Sequence, residues 1–263
     1  MNILHSKDGS AIAYEKAGSG PPLILVDGAL CSRSNGPNGP LADLLKQHFT
    51  VFTYDRRGRG DSGDQMPYNV EREVEDLSAL IREAGDSAYV YGISSGAALA
   101  LEAAKRLSSI KKLALYEAPL VVDNSRAPVP EGYLEQMEGL LASNKRSAAV
   151  KLFMRKGVGL PAPVVAMMPL MPAWSKLKAV AHTLLYDTLL TLEHQKGKAS
   201  TLQRWSAVSV PTLVIAGSKS PTWMLNGMRS LTDVLPNARL EILNGQTHIV
   251  KPEALVPVLK NYF

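Results

Sequence analysis

The sequence predicts an α/β protein: a mostly parallel sheet with helices on both faces, interrupted once by a helical insertion. Three observations predict it. Short apolar runs alternate with stretches of helical periodicity, the pattern of strand–helix–strand units. The run Leu23-Ile24-Leu25-Val26 is continuously apolar, as expected of a strand buried on both faces. From about residue 119 to 205 the alternation stops, leaving helices and loops with no convincing strand, and it resumes at Thr212.

The elements follow in order. Residues 2–6 and 10–16 read as a hairpin across the turn signal Lys7-Asp8-Gly9. After the Gly18-Ser19-Gly20-Pro21-Pro22 loop come the 23–26 strand, a helix near 40–48 and the strand Thr50–Tyr54. Residues 70–84 carry Val70, Val74, Leu77, Leu80 and Ile81 at helical spacing. Strand 88–91, helix 96–107 and strand 112–116 complete the first half. Strand 212–216, a helix near 222–234, strand 239–243 and helix 252–262 form the second. The division expected is a core of 1–118 and 206–263 with a helical insertion of 119–205. In such folds ligands bind at the carboxyl edge of the sheet, and the insertion is expected to lie over that edge.

Composition narrows the function classes. With 46% hydrophobic and 20% charged residues the chain can bury a sizeable core. The net charge of +5 is scattered, and no basic stripe interleaved with aromatics points to nucleic acid. Cys31 is the only cysteine, so no intramolecular disulfide forms, which fits a reducing compartment. The first residues run straight into strand-like sequence without an apolar signal region, and no apolar run is long enough to span a bilayer. A cytoplasmic location is the default expectation. There is no His-Glu-x-x-His, no paired cysteine and no P-loop, so no metal or cofactor is expected.

The chemistry is signalled by Gly92-Ile93-Ser94-Ser95-Gly96. A β-prone run ends at Gly92 and a small-residue helical run begins after Gly96. Glycines two residues either side of Ser94 allow a sharp strand-to-helix turn without side-chain clashes. Such a turn presents the serine hydroxyl at the strand's carboxyl end and leaves the Ser95 amide at a helix N-terminus, available to an oxyanion. A serine needs an adjacent base. Of His5, His48, His182, His194 and His248, only His248 lies in a loop just past a late strand.

With these residues the chain resembles the α/β-hydrolase fold family, specifically its small single-chain members with a helical cap. The resemblance covers nearly the whole chain. It rests on Asp27-Gly28-Ala29, on the Asp55-to-Ser62 segment, on the elbow at Ser94, on Val214 to Pro221 and on Gly245-Gln246-Thr247-His248, in the family's order. It implies an α/β-hydrolase fold with Ala29 and Ser95 as main-chain oxyanion donors. Relatives usually carry His-Gly where this chain has Asp27-Gly28. They most often carry an Asp at the position of Ser220, and a serine cannot supply the charge that orients an imidazolium. Glu117 and Asp123 remain near a strand's carboxyl end. Certain haloalkane dehalogenases look similar in carrying their acid directly after this strand, so Glu117 is the candidate, in the order Ser…Glu…His, with a Ser-His dyad or another acid as the alternative.

The expected function is hydrolysis of a carboxylic ester or related acyl compound, with Ser94 as nucleophile, His248 as base and Glu117 orienting it. Serine at the elbow argues against the carboxylate-nucleophile chemistries of this fold. The alternatives are a non-hydrolytic enzyme (perhydrolase, lyase or cyclase) and a ligand-binding protein with a weakened triad. A pocket for a small apolar acyl substrate is expected to involve Gly28, Trp174, Trp223 and Met224. Cys31 is expected to be a small packed residue. The sequence leaves the oligomeric state open.

Overall fold

In the computed structural model, which describes all 263 residues, eight strands form one sheet in the order β1-β2-β4-β3-β5-β6-β7-β8. The strands are β1 (Asn2–His5), β2 (Ala11–Ala17), β3 (Pro22–Val26), β4 (Thr50–Tyr54), β5 (Ala88–Ile93), β6 (Ile110–Tyr116), β7 (Thr212–Gly217) and β8 (Ala238–Leu243). β1 pairs antiparallel with β2 and β2 antiparallel with β4; every other pairing is parallel. The helices outside the insertion are α1 (Asn38–Leu45), α2 (Val70–Glu83), α3 (Ser95–Ala104), α9 (Thr222–Val234) and α10 (Pro252–Tyr262). Sequence and structure differ mainly at element ends: β5 runs on to Ile93, because the ladder with β6 continues up to the elbow.

The side-chain period of two explains the continuous apolar strands. Along β3, Ile24 and Val26 join a cluster with Leu77 and Leu80 of α2 and Leu99 of α3. Leu23 and Leu25 face the opposite layer with Leu41 and Leu45 of α1 and Leu255 and Leu259 of α10. The central strands are therefore sealed on both faces. The edge strand β8 alternates between half-buried and exposed positions from Ala238 to Glu241, then leaves Ile242 exposed and buries Leu243. α2 starts cleanly because the Asn69 side chain accepts from the Arg72 amide at 3.1 Å, and Glu71 and Glu73 complement the positive end of the helix dipole.

Between β6 and β7 the chain contains no strand. It forms α4 (Tyr133–Ala142), α5 (Arg146–Leu152), α6 (Ala162–Met167), α7 (Trp174–Ala179) and α8 (Leu184–Thr191), with wide or tight turns between them. These helices have a core of their own, built on Tyr133, Met137, Val150, Met168, Trp174 and Leu184. Trp174 is 7% exposed and belongs to that core.

Candidate active site

Ser94 sits between β5 and α3 at φ 57°, ψ −127°, a conformation that costs a non-glycine residue about 1–3 kcal/mol. Its surroundings hold it there. Its amide donates to the Tyr116 carbonyl at 2.9 Å, and its own carbonyl accepts from Ala97 at 3.0 Å. The flanking glycines serve close approach. A Cβ on Gly92 would lie 2.5 Å from the Gly96 carbonyl oxygen, and one on Gly96 would lie 2.3 Å from the Val26 carbonyl oxygen. The positive φ falls on the serine itself, while the glycines let α3 pack against β5 and the end of β3.

Ser95 is the first residue of α3, so its N–H has no intrahelical acceptor. Ala29 approaches from the loop after β3, and both residues border the same cavity as Ser94 and His248. Gly28 packs behind Ser94: a Cβ there would lie 3.1 Å from the Ser94 Cβ.

Glu117 follows β6 directly and is fully buried. Its Oε2 lies 2.9 Å from His248 Nδ1, and its Oε1 accepts from the Gly217 amide at 2.8 Å. Its backbone, at φ 45°, is turned into the left-handed region, and its amide donates to the Ile215 carbonyl at 3.1 Å. The loop carrying His248 is fixed from two sides. Tyr116 Oη donates to the Thr247 carbonyl at 2.6 Å, and the Gln246 carbonyl accepts from Lys219 at 2.9 Å. That loop packs so closely on β7 that a Cβ at Gly217 would meet the Gln246 oxygen at 2.4 Å. Asp123, the other acid weighed from the sequence, bonds Ser125 and Asn226 instead. Ser220 is buried and its hydroxyl has no hydrogen-bond partner.

The cavity at Ser94 is small, about 40 Å³. Trp223 and Met224 line it from the start of α9, and Phe153 and Val158 face them from the inserted segment. Gln195, also from that segment, adds an amide whose side chain has no protein partner. Of the four pocket residues expected from the sequence, Trp223 and Met224 thus border the cavity and Gly28 abuts Ser94, whereas Trp174 packs among the inserted helices. Cys31 is part-buried and lies outside the lining.

A buried ionic network centred on Asp187, which itself lines the cavity, is the feature that the sequence did not reveal. Asp187 of α8 accepts from Ser95 Oγ at 2.8 Å, from Arg56 at 3.0 Å and from Arg59 at 2.7 Å. Arg59 also donates to the Gly28 carbonyl at 2.7 Å, and Arg56 pairs with Glu73 at 2.6 Å. Burial works against the Asp187 carboxylate, but Arg59, Arg56 and the Ser95 hydroxyl together hold it below the usual carboxylate range. The network ties the inserted segment to Ser95, the residue after Ser94, and to the loop carrying Ala29. A signal for it was present: Asp187 is a lone acid among Leu184, Leu185, Leu189 and Leu190. Gln195 had no signal at all. Asp27 is pushed up to about 7 by burial, against the pull of Arg59.

A model of the alpha/beta hydrolase family matches residues 29–258, and the chain belongs to that family. An α/β hydrolase from Sphaerobacter thermophilus is 47% identical, with 100% of both chains covered and a TM-score of 0.91. An uncharacterized hydrolase, YraK of Bacillus subtilis, is 30% identical over 154 residues, 56% of this chain and 55% of its own length, so that match spans about half of the relative. Ethanol acetyltransferase 1 of Cyberlindnera jadinii is 24% identical over 92% of this chain and 79% of its own.

Proposed function

We propose that the protein is a serine hydrolase that cleaves a carboxylic ester or related short acyl compound through an acyl-enzyme on Ser94. The observation that carries this reading is the 2.9 Å contact between Glu117 Oε2 and His248 Nδ1. A carboxylate there keeps the proton on Nδ1 and leaves Nε2 as the base. His248 takes the proton from Ser94 Oγ as the hydroxyl attacks the acyl carbon. The amides of Ala29 and Ser95 receive the negative oxygen. His248 then returns the proton to the departing alcohol, and the same groups direct water onto the acyl-enzyme. The inserted segment acts as a cap, and the small cavity with its Gln195 amide suits a short acyl group over a long chain.

A second reading, acyl transfer to an alcohol, is favoured by the similarity to ethanol acetyltransferase 1. It uses the same acyl-enzyme with an alcohol replacing water. The test for both is a fluorophosphonate probe followed by turnover of p-nitrophenyl acetate with and without ethanol. The expected result is a label on Ser94, absent in Ser94→Ala. Acetate as the product supports hydrolysis, and ethyl acetate supports transfer. A folded protein that takes no label overturns the acyl-enzyme and both readings with it.

A further inference from the structure

The inserted segment presents a surface for which the acyl chemistry has no use. From Gly139 to Tyr186 the chain holds seven lysines and arginines and no aspartate or glutamate. No carboxylate pairs with any of the seven; Arg146 donates to Asn144 and the Ala179 carbonyl, and Arg155 to the Leu160 carbonyl. Lys145, Arg146, Lys151 and Lys178 border an open groove of about 800 Å³ between α5 and α7. Lys151 also borders a second depression with Arg155, Lys156 and the Ala162, Val165 and Ala166 face of α6. The cations are therefore contiguous with α6.

That helix and the turn after it carry exposed aliphatic side chains. Val164, Met167, Leu170 and Met171 are 49%, 60%, 76% and 51% exposed. They fall within eight residues, whereas exposed apolar groups elsewhere are dispersed. Between Gly157 and Ser175 there is no charged residue, and this uncharged stretch is flanked by Arg155 and Lys156 on one side and Lys176 and Lys178 on the other. An aliphatic wedge set in a rim of cations is the composition that settles at the headgroup–acyl boundary of a membrane.

We infer that this face of the inserted segment docks on an anionic phospholipid surface, with Met167, Leu170 and Met171 entering the acyl region and the surrounding cations contacting headgroup phosphates. Charge decides against the competing occupants. A second copy would bring seven cations against seven. A single-stranded nucleic acid would call for aromatic stacking platforms, and the wedge is aliphatic. No helix is long and apolar enough to cross a membrane, so the association is peripheral.

The test is cosedimentation of the full chain with phosphatidylcholine vesicles, with and without about 30% phosphatidylglycerol, which supplies the anionic surface. Binding is expected only with the anionic lipid and is expected to be lost in about 0.5 M salt, where charges are screened within a few ångströms. Lys145→Glu with Lys151→Glu should weaken partitioning at least about twentyfold, from roughly fivefold per cation. Met167→Glu with Leu170→Glu should abolish it. Lys105→Glu with Lys111→Glu makes the same charge change at the amino end of the sheet and should alter binding no more than about twofold. All six positions are at the surface, and unchanged melting temperatures confirm folding. The inference is overturned by absence of binding at low salt, by equal binding to neutral vesicles, or by an equal loss in the Lys105/Lys111 pair. It is also overturned by a dimer in sedimentation equilibrium that Met167→Glu with Leu170→Glu dissociates.

Discussion

Glu117→Gln tests the proposed triad at the point where this chain departs from its relatives. The geometry dictates which way the new amide turns. In the parent, one carboxylate oxygen accepts from the Gly217 amide and the other faces His248 Nδ1. A glutamine can keep the Gly217 bond only by placing its carbonyl oxygen there, which directs its NH₂ at Nδ1. His248 must then accept at Nδ1 and carry its proton on Nε2, the tautomer that cannot take a proton from Ser94. The flipped amide would restore the productive tautomer but set donor against donor at a fully buried site. Leaving a buried donor unsatisfied costs about 1–3 kcal/mol. At 1.4 kcal/mol per factor of ten, the productive arrangement falls roughly 5- to 150-fold in population. Loss of the negative charge opposite the imidazolium adds to this. The expected fall in kcat on p-nitrophenyl acetate is therefore between about 10² and 10⁴-fold, the upper bound being that of a triad Asp converted to Asn. The near-isosteric change should leave the melting temperature close to the parent's. A loss below about threefold in a folded variant would refute Glu117 as the orienting acid.

Two other substitutions probe the groups around the site. Asp187→Asn removes the only negative partner of Arg59 and one of two for Arg56, and should cost about 3–5 kcal/mol in urea unfolding, as for a broken buried ion pair; a loss under about 1 kcal/mol would show that the network contributes little. Asp27→Asn should change the pH dependence of stability. With its carboxyl pushed up to about 7, Asp27 keeps a proton in the folded chain that the unfolded chain releases near pH 4. The parent therefore loses stability as pH rises through that window, by on the order of 4 kcal/mol once above pH 7. The variant, free of this penalty, should gain on the parent from pH 4 to pH 8; a difference constant with pH contradicts the assignment.

The sequence was most informative where a local pattern has one physical reading. Strands buried on both faces appear as unbroken apolar runs, and the α9 and α10 ranges emerged within a residue because Pro221 and Pro252 mark their starts. The elbow was legible because Gly92 and Gly96 stand where neighbouring backbone leaves no room for a side chain. The positive φ of Ser94 and of Glu117 was invisible, since nothing in either residue type demands it. Pocket composition was legible only in part. Trp223 follows a strand end and lies near Ser94, but Trp174 sits in a helix whose facing is set by its neighbours. The partners of Asp187 are not legible locally, because Arg56 and Arg59 lie 131 and 128 residues away in the chain.

The proposed placement of the orienting acid on Glu117 has a structural logic that reaches beyond the single contact. In the commoner arrangement the orienting acid stands on the loop after β7, and here Ser220 occupies that loop. Glu117 ends the neighbouring strand, β6, so its carboxylate must cross to the β7 side to meet the histidine. It does so by bonding to β7 twice: its own amide donates to Ile215, and its side chain accepts from Gly217. The second bond fixes one oxygen, leaving the other for His248. The absence of a side chain at Gly217 is what lets the His248 loop come down onto the same spot, with the Gln246 oxygen only 2.4 Å from where a Cβ would be. Moving the acid by one strand thus shifts the burden from a loop side chain to the strand end itself. An acid held by β-sheet backbone loses little mobility when the imidazolium forms, because it was already fixed. Restoring an aspartate at Ser220 should accordingly not rescue Glu117→Gln by itself. The new carboxylate would still compete with a glutamine whose NH₂ is held toward Nδ1 by the Gly217 amide.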